Sequence, residues 1–417
     1  MTQAPASNRP PMLTMAQALE ALMAGVRPLD QAETAIETID TLQANGRVLA
    51  APVTSTLRVP PADNTSMDGY AMRAADVPAP GTRLPVSQRI PAGHVGTALA
   101  AGTAARIFTG GLIPPGADAV VMQEQCVADG DAVVVNHVPA SGEWVRRAGE
   151  DIEAGAQILP AGTRLSPQAL GLAASVGQAK LDVIRRVRVG VFFTGDELAM
   201  PGEPLKPGAI YNSNRFTLRG LLENLGCEVS DFGIVPDTLA ATRDTLRRAA
   251  EGCDLIITSG GVSVGEEDHI RPAVQAEGRL DLWQIAIKPG KPLAFGQVAN
   301  GSDRPAHFLG LPGNPVSSFV TFLLFVRPFI LRLQGVADVT PRRLPLRADF
   351  DLERGDRRNE FLRARINDAG GLDLFPNQSS GVLTSTVWGD GLIDNPPNQA
   401  IRRGDTVRFI PFDGLLG

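Results

Sequence analysis

A change of hydrophobic period at Arg188 constrains this chain more than any other feature. From there to about Leu333, short runs of buried character alternate with segments of helical period. Val189-Gly-Val-Phe-Phe193 and Asp254-Leu-Ile-Ile-Thr258 read as strands, while Leu218, Leu221, Leu222 and Leu225 fall at i, i+3, i+4 and i+7 with Gly226 as a stop. Such alternation predicts a central, doubly wound, mainly parallel sheet with helices on both faces. Ligands bind sheets of this kind beyond the carboxyl ends of the strands.

The flanks read differently. Met15, Leu19, Leu22 and Met23 sit at helical spacing, and Ser166-Pro167 offers an N-cap and first-turn proline for a second helix to about Val176. These two helices are expected to pack together. Between them, Gly- and Pro-rich sequence carries short β-type runs such as Ala105–Thr109, Ala119–Met122 and Ala132–His137. After Thr340, runs at Leu344–Ala348, Phe361–Ile366, Ala400–Ile401 and Thr406–Pro411 predict a small β-barrel or sandwich.

The expected α/β multidomain chain therefore has a flexible tail at 1–13 and a small helical, elongated domain from 14–52 plus 156–186. A mostly β insertion follows at 53–155, then an α/β domain at 187–338 and a β-barrel-like domain at 339–417. At 417 residues the chain exceeds what one core usually organises, taking roughly 100–200 residues per domain.

A net charge of −6 argues against a general nucleic-acid binder, so any anion site must be local. One place for it is Arg342–Arg365, where eight arginines face five acids. The same run also suits a solvated face of a β domain. Cys126, Cys227 and Cys253 show no paired spacing, which fits a reducing cytoplasm better than a disulfide framework or a zinc site. Val316–Val326 is too short for a bilayer, which needs about 20 residues, and reads as a buried helix.

Four segments carry chemistry. Ser259-Gly-Gly-Val-Ser-Val-Gly265 follows a strand and precedes a helix, so Gly260, Gly261 and Gly265 let amides turn toward an anion, with Ser259 and Ser263 beside them. A turn selected only for tightness would look the same. Gly310-Leu-Pro-Gly-Asn-Pro315 opens a long apolar helix, with Asn314 as N-cap, Pro315 in the first turn and Ser317 and Ser318 as hydroxyl donors. Lys288-Pro-Gly-Lys291 holds two ammonium groups on a proline-stiffened loop with no bridging acid in sequence, an arrangement that suits an anion or simply a solvated surface. Asp68, Glu197, Asp237 and Asp268 each lie in a loop, where an acid either forms a turn or holds a hard cation such as Mg²⁺.

Asn64-Thr-Ser-Met-Asp-Gly-Tyr-Ala71, Thr194-Gly-Asp-Glu197, and the Ser259, Lys288 and Gly310 segments come in an order that resembles the molybdopterin molybdenumtransferase family, from about Thr14 to the C-terminus. The resemblance implies a transferase that inserts molybdate into adenylylated molybdopterin and releases AMP. It implies that Asp68, Glu197, Asp237 and Asp268 are catalytic, the last three as ligands of Mg²⁺. It further implies that Thr109, Arg147 (in Arg146-Arg-Ala-Gly-Glu-Asp151), Thr194, Lys288, Lys291, Pro312, Asn314, Pro315, Ser317, Arg358 and Ser380 contact substrate. A homodimer is implied, and a molybdopterin adenylyltransferase as a possible partner. No role at nucleic acid or membrane is expected. A related adenylyltransferase and a non-catalytic scaffold like the animal relative, gephyrin, are the alternatives. Phe193 and Asn212 depart from the family pattern, and Asn212 replaces a charged residue with a neutral one.

Overall fold

The computed structural model describes residues 12–29, 35–261 and 269–416; the expected tail up to residue 11 and the glycine-loop positions Ser263, Gly265 and Asp268 lie outside them. The central sheet has six strands in the order Glu228–Val235, Arg188–Thr194, Leu255–Ser259, Ala306–Leu311, Pro292–Val298, Gly278–Gln284. The first four run parallel. The last two are antiparallel, which closes one edge with a hairpin rather than a further crossover.

Alternate residues on these strands serve two different cores, as the pleat requires. Val191, Phe193, Ile257 and Leu309 join one core with Leu218, Leu222 and the apolar helix that begins at Pro315. Phe192, Ile256 and Phe308 join the other with Leu246, Ala249, Ile270 and Val274. Helices Ser213–Asn224 and Pro315–Leu333 thus cover one face, and Leu239–Gly252 and Ile270–Glu277 the other.

The helix Pro315–Leu333 is apolar and long enough to cross a membrane, with hydropathy 1.7, yet 89% of that window is buried inside the fold. It is the core helix of the α/β domain. Its middle, Phe322–Val326, widens to a π-helix, a feature that the apolar sequence does not announce.

Met15–Ala24 forms as expected, capped by Thr14, whose hydroxyl accepts the Gln17 amide in a capping box. It does not pack on Pro167–Ser175. Ala18 and Leu22 enter the α/β core, whereas Ala169 and Ala173 belong to a separate core with Leu49, Leu165 and Val183. The reason is local: Leu13 bridges to the chain at Ile285, its amide donating to the Gln284 carbonyl at 2.8 Å, so the helix starts already docked on the α/β domain.

Lys180–Ile184 pairs with Ile36–Asp40 and Val48–Leu49 in a small antiparallel sheet. Beyond the pairing of Val53–Thr54 with Gln157–Leu159, the intervening chain forms a six-stranded sheet that includes Gly69–Met72, Ala104–Ile107 and Ala119–Met122.

In the C-terminal part, Asn359–Ile366, Gly391–Asn395, Thr406–Pro411 and Leu344–Arg347 pair in that order. Ile287–Lys288 adds to this sheet in parallel, with Lys288 opposite Glu360. One strand of the C-terminal sheet therefore leads directly into the Lys-Pro-Gly-Lys loop.

Candidate oxyanion and phosphate cleft

A cleft of about 700 Å³ opens where the parallel strands end. The α/β domain lines it with Thr194, Glu197, Asn212, Asn214, Ser259, Gly260, Gly261, Lys288, Lys291, Pro312, Asn314, Pro315 and Ser317, and the C-terminal domain with Arg358, Gln378, Ser379 and Ser380. Register explains the convergence: Ser259 ends its strand opposite Phe193 on one side and Leu311 on the other, so three motif loops leave the sheet side by side.

These loops brace one another. The Ser259 hydroxyl donates to the Pro312 carbonyl at 2.9 Å and accepts from Asn214 Nδ2 at 2.8 Å, and the same amide donates to the Gly313 carbonyl at 2.8 Å. Ser259 is therefore a strut, not a free ligand donor. Gly260 and Gly261 both have positive φ, 100° and 63°, which explains two successive glycines. The Gly260 amide is turned back onto the Leu311 carbonyl at 3.1 Å, so Gly260 does not offer its amide to an anion.

Asn314 occupies the N-cap but its side chain makes no capping bond. Pro315 has no amide, and the Val316 amide donates to the Ser380 carbonyl at 3.0 Å, which ties the helix start to the C-terminal domain. The buried Asn212 caps the helix at Ser213 through Oδ1, while its Nδ2 has no partner among the described residues. A buried donor at the edge of the cleft suits a ligand acceptor.

The two lysines differ. Lys288 Nζ lies 3.0 Å from Glu360 Oε1 and 3.3 Å from Asp356 Oδ2, so the expected absence of a bridging acid is wrong. The acids stand far along the sequence and are delivered by sheet pairing. Burial alone would lower the Lys288 ammonium, but the Glu360 and Asp356 carboxylates outweigh it and hold it above its usual value. Arg358 makes a two-pronged contact to Asp356 at 3.0 and 3.1 Å, and this guanidinium holds the Asp356 carboxyl well below the usual carboxylate range. Lys291 lines the cleft without a carboxylate partner among the described residues.

Other expected site residues fall elsewhere in the chain. Asp68 accepts the Thr109 amide at 2.8 Å and hydroxyl at 2.7 Å, bonds that hold its carboxyl below the usual range. Arg147 pairs with Asp63 at 2.6 Å. Asp68, Thr109 and Arg147 lie in or beside the insertion sheet and do not line the cleft. Asp237 lies just before the helix Leu239–Gly252, two residues past Val235, which pairs with Thr194. Among the described residues no three His, Cys, Asp or Glu side chains group as metal ligands. Gln378, Leu198 and Ile210 line the cleft without having been singled out in the sequence. The cysteines are unpaired thiols, with burial pushing Cys126 up to about 11 and Cys227 up to about 12.

A smaller cavity of about 290 Å³ surrounds Arg185, Asp254 and His307 at the opposite ends of the strands. Its central charges are already matched, with Arg185 and Asp254 in contact at 2.7 Å.

Three family models cover the chain: the MoeA N-terminal region (domains I and II) at residues 13–177, a probable molybdopterin binding domain at 190–332, and the MoeA C-terminal region (domain IV) at 345–412. The chain belongs to the MoeA family. A molybdopterin molybdenumtransferase from Haemophilus influenzae is 38% identical over 391 residues, 92% of this chain and 96% of the relative. One from Nostoc is 39% identical over 368 residues, 85% and 84% of the two chains. The crystal structure of a molybdopterin biosynthesis MoeA protein from Pyrococcus horikoshii matches with TM-score 0.82 at 28% identity, covering 96% of this chain and all of that one (100%). In this MoeA-family chain the cleft lies between the second and third matched regions, where Lys288 meets Glu360.

Proposed function

We propose that this chain is a molybdopterin molybdenumtransferase that inserts molybdate into adenylylated molybdopterin, with cleavage of the phosphoanhydride and release of AMP. One observation carries the reading. Two separate domains bring Lys291, Arg358, Ser317 and Ser380 to a single cleft beside the Ser259-Gly-Gly turn. Cationic and hydroxyl donors so gathered suit a tetrahedral oxyanion, and the glycine turn beside them suits a phosphate. In this reading Lys291 holds molybdate by charge, Arg358, its charge matched by Asp356, adds a hydrogen-bond donor, Ser317 and Ser380 orient the anion, and Thr194, Gly261 and Pro312–Pro315 form the wall against which the pterin phosphate lies.

Mg²⁺ belongs to the same reading. Glu197 at the cleft and Asp237 in the loop that follows the neighbouring strand offer the hard carboxylate oxygens this ion prefers, and Asp268 would complete them. A bound Mg²⁺ would supply neutralisation of phosphate charge. Asp68, Thr109 and Arg147 act, in this account, in the cleft of a second copy, which makes the working enzyme a homodimer. A molybdopterin adenylyltransferase is the natural source of the substrate. Unpaired thiols support a reducing, cytoplasmic setting.

The test is rescue of molybdoenzyme activity in a bacterial strain lacking its own molybdenumtransferase. The chain should restore that activity and Asp268→Asn should not. Failure of the folded, expressed wild-type chain to restore it would overturn the proposal.

A further inference from the structure

Arg363 stands in the strand Asn359–Ile366 and is only 1% exposed, among the largest fully buried side chains in the described structure. Among the described residues its guanidinium makes three hydrogen bonds, all to neutral acceptors. Nε donates to Ser385 Oγ at 3.0 Å, Nη1 to the Phe361 carbonyl at 3.4 Å and Nη2 to the Ser379 carbonyl at 3.2 Å. No carboxylate reaches it among the described residues. Its neighbours differ, because Arg343 pairs with Asp394, Arg347 with Asp349 and Arg358 with Asp356. Burial pushes the Arg363 guanidinium down to about 10, so it is still protonated at neutral pH.

A buried charge without a counter-ion is costly, and an all-neutral solvation shell is unusual. What Arg363 holds gives it a use. Its main-chain amide donates to Gln378 Oε1 at 2.9 Å, Gln378 Nε2 returns a bond to the Arg363 carbonyl at 3.0 Å, and the guanidinium grips Ser379. Gln378, Ser379 and Ser380 are the wall that the C-terminal domain presents to the cleft. The guanidinium thus sits directly behind that wall.

We propose that Arg363 is a positioning residue whose unneutralised charge, held behind the Gln378–Ser380 wall, takes the oxyanion bound in the cleft as its counter-ion. This rests on reading the cleft as the oxyanion site. Charge, rather than shape alone, is the property that matters. The positive potential comes from a group that never touches the ligand and that water does not screen.

The experiment is equilibrium dialysis of the full chain against inorganic molybdate, comparing wild type, Arg363→Met, Arg363→Lys and Lys291→Ala, with thermal unfolding followed in parallel. Arg363→Met should weaken molybdate binding by about tenfold or more, and Arg363→Lys should restore most of it. A buried lysine loses its proton more readily than arginine. Molybdate affinity of Arg363→Lys should therefore decline between pH 7 and 9 while wild type stays level, a readout that survives even if Arg363→Met does not fold. Wild-type affinity in Arg363→Met, or level behaviour of both chains across that pH range, would overturn the inference. If wild type binds no molybdate, or if Lys291→Ala leaves binding unchanged, the oxyanion reading of the cleft fails first. If Lys291→Ala weakens binding and the Arg363 variants do not, only this inference fails.

Discussion

Lys288 and Lys291 look equivalent in the sequence and are opposites in the structure. Lys288 is neutralised by Glu360 and Asp356, and Glu360 is only 4% exposed. Lys291 faces the cleft. Lys288→Ala should therefore strip a buried carboxylate of its cation and lower stability by roughly 1–3 kcal/mol, the cost of leaving a buried acceptor unmet. Lys291→Ala should leave stability within about 0.5 kcal/mol and raise the molybdate concentration needed for half-maximal rate. Urea unfolding with steady-state rates on both variants checks this, and equal unfolding midpoints would contradict it. Sequence could name both lysines but not tell them apart, because the deciding acids lie some seventy residues away and arrive only through the pairing of Lys288 with Glu360. Ser259 was legible as a loop residue for the same kind of reason. Its role as a strut depends on Asn214 and Pro312, which local spacing does not bring together.

The elements most legible in advance are those whose signal is local. The strands at Arg188–Thr194 and Leu255–Ser259 and the helix Ser213–Asn224 follow from period and from Gly226, whose φ of 76° fits a helix stop. The strand Gly391–Asn395 was not legible: all five of its residues are buried, including Asp394 and Asn395, so it lacks the alternation that marks a half-buried strand. The π-helical stretch Phe322–Val326 is set by packing and was equally invisible. Just before it, the buried Thr321 hydroxyl has no partner among the described residues and lies under Gly290 of the Lys-Pro-Gly-Lys loop. Gly290 has φ 107°, and a Cβ there would run into Thr321 Oγ1. Gly290→Ala should thus cost about 1–3 kcal/mol of stability and displace the loop, raising the molybdate concentration needed for half-maximal rate. Adding Thr321→Ala should recover part of the loss, since the collision is removed and the backbone strain is not. Unfolding midpoints of the single and double variants test this, and an unperturbed Gly290→Ala would contradict the tight fit.

At the scale of the whole molecule, the cleft combines two domains of one chain, while Asp68, Thr109 and Arg147 stand apart from it. A shared site in a homodimer makes sense of that separation. Asp68→Ala and Lys291→Ala, each nearly inactive alone at a molybdate concentration that just saturates wild type, should complement when mixed: random reassembly puts about half the dimers in the mixed form, each with one intact site of two, giving roughly a quarter of wild-type activity. Mixed dimers isolated through two different tags that are no more active than the single variants would rule out the shared site. Family membership and the overall α/β plan were legible because ordered motifs span nearly the whole chain. The docking of Met15–Ala24 on the α/β core was not, since it depends on the Leu13 bridge. The central claim is that this chain couples molybdate insertion to anhydride cleavage. Its most direct test is mass spectrometry of the products after the purified chain is incubated with adenylylated molybdopterin, with and without molybdate and Mg²⁺. The account predicts AMP and molybdenum-loaded pterin in equal amounts only when molybdate and Mg²⁺ are both present. AMP release at the same rate without molybdate, or no release with both present, would contradict it.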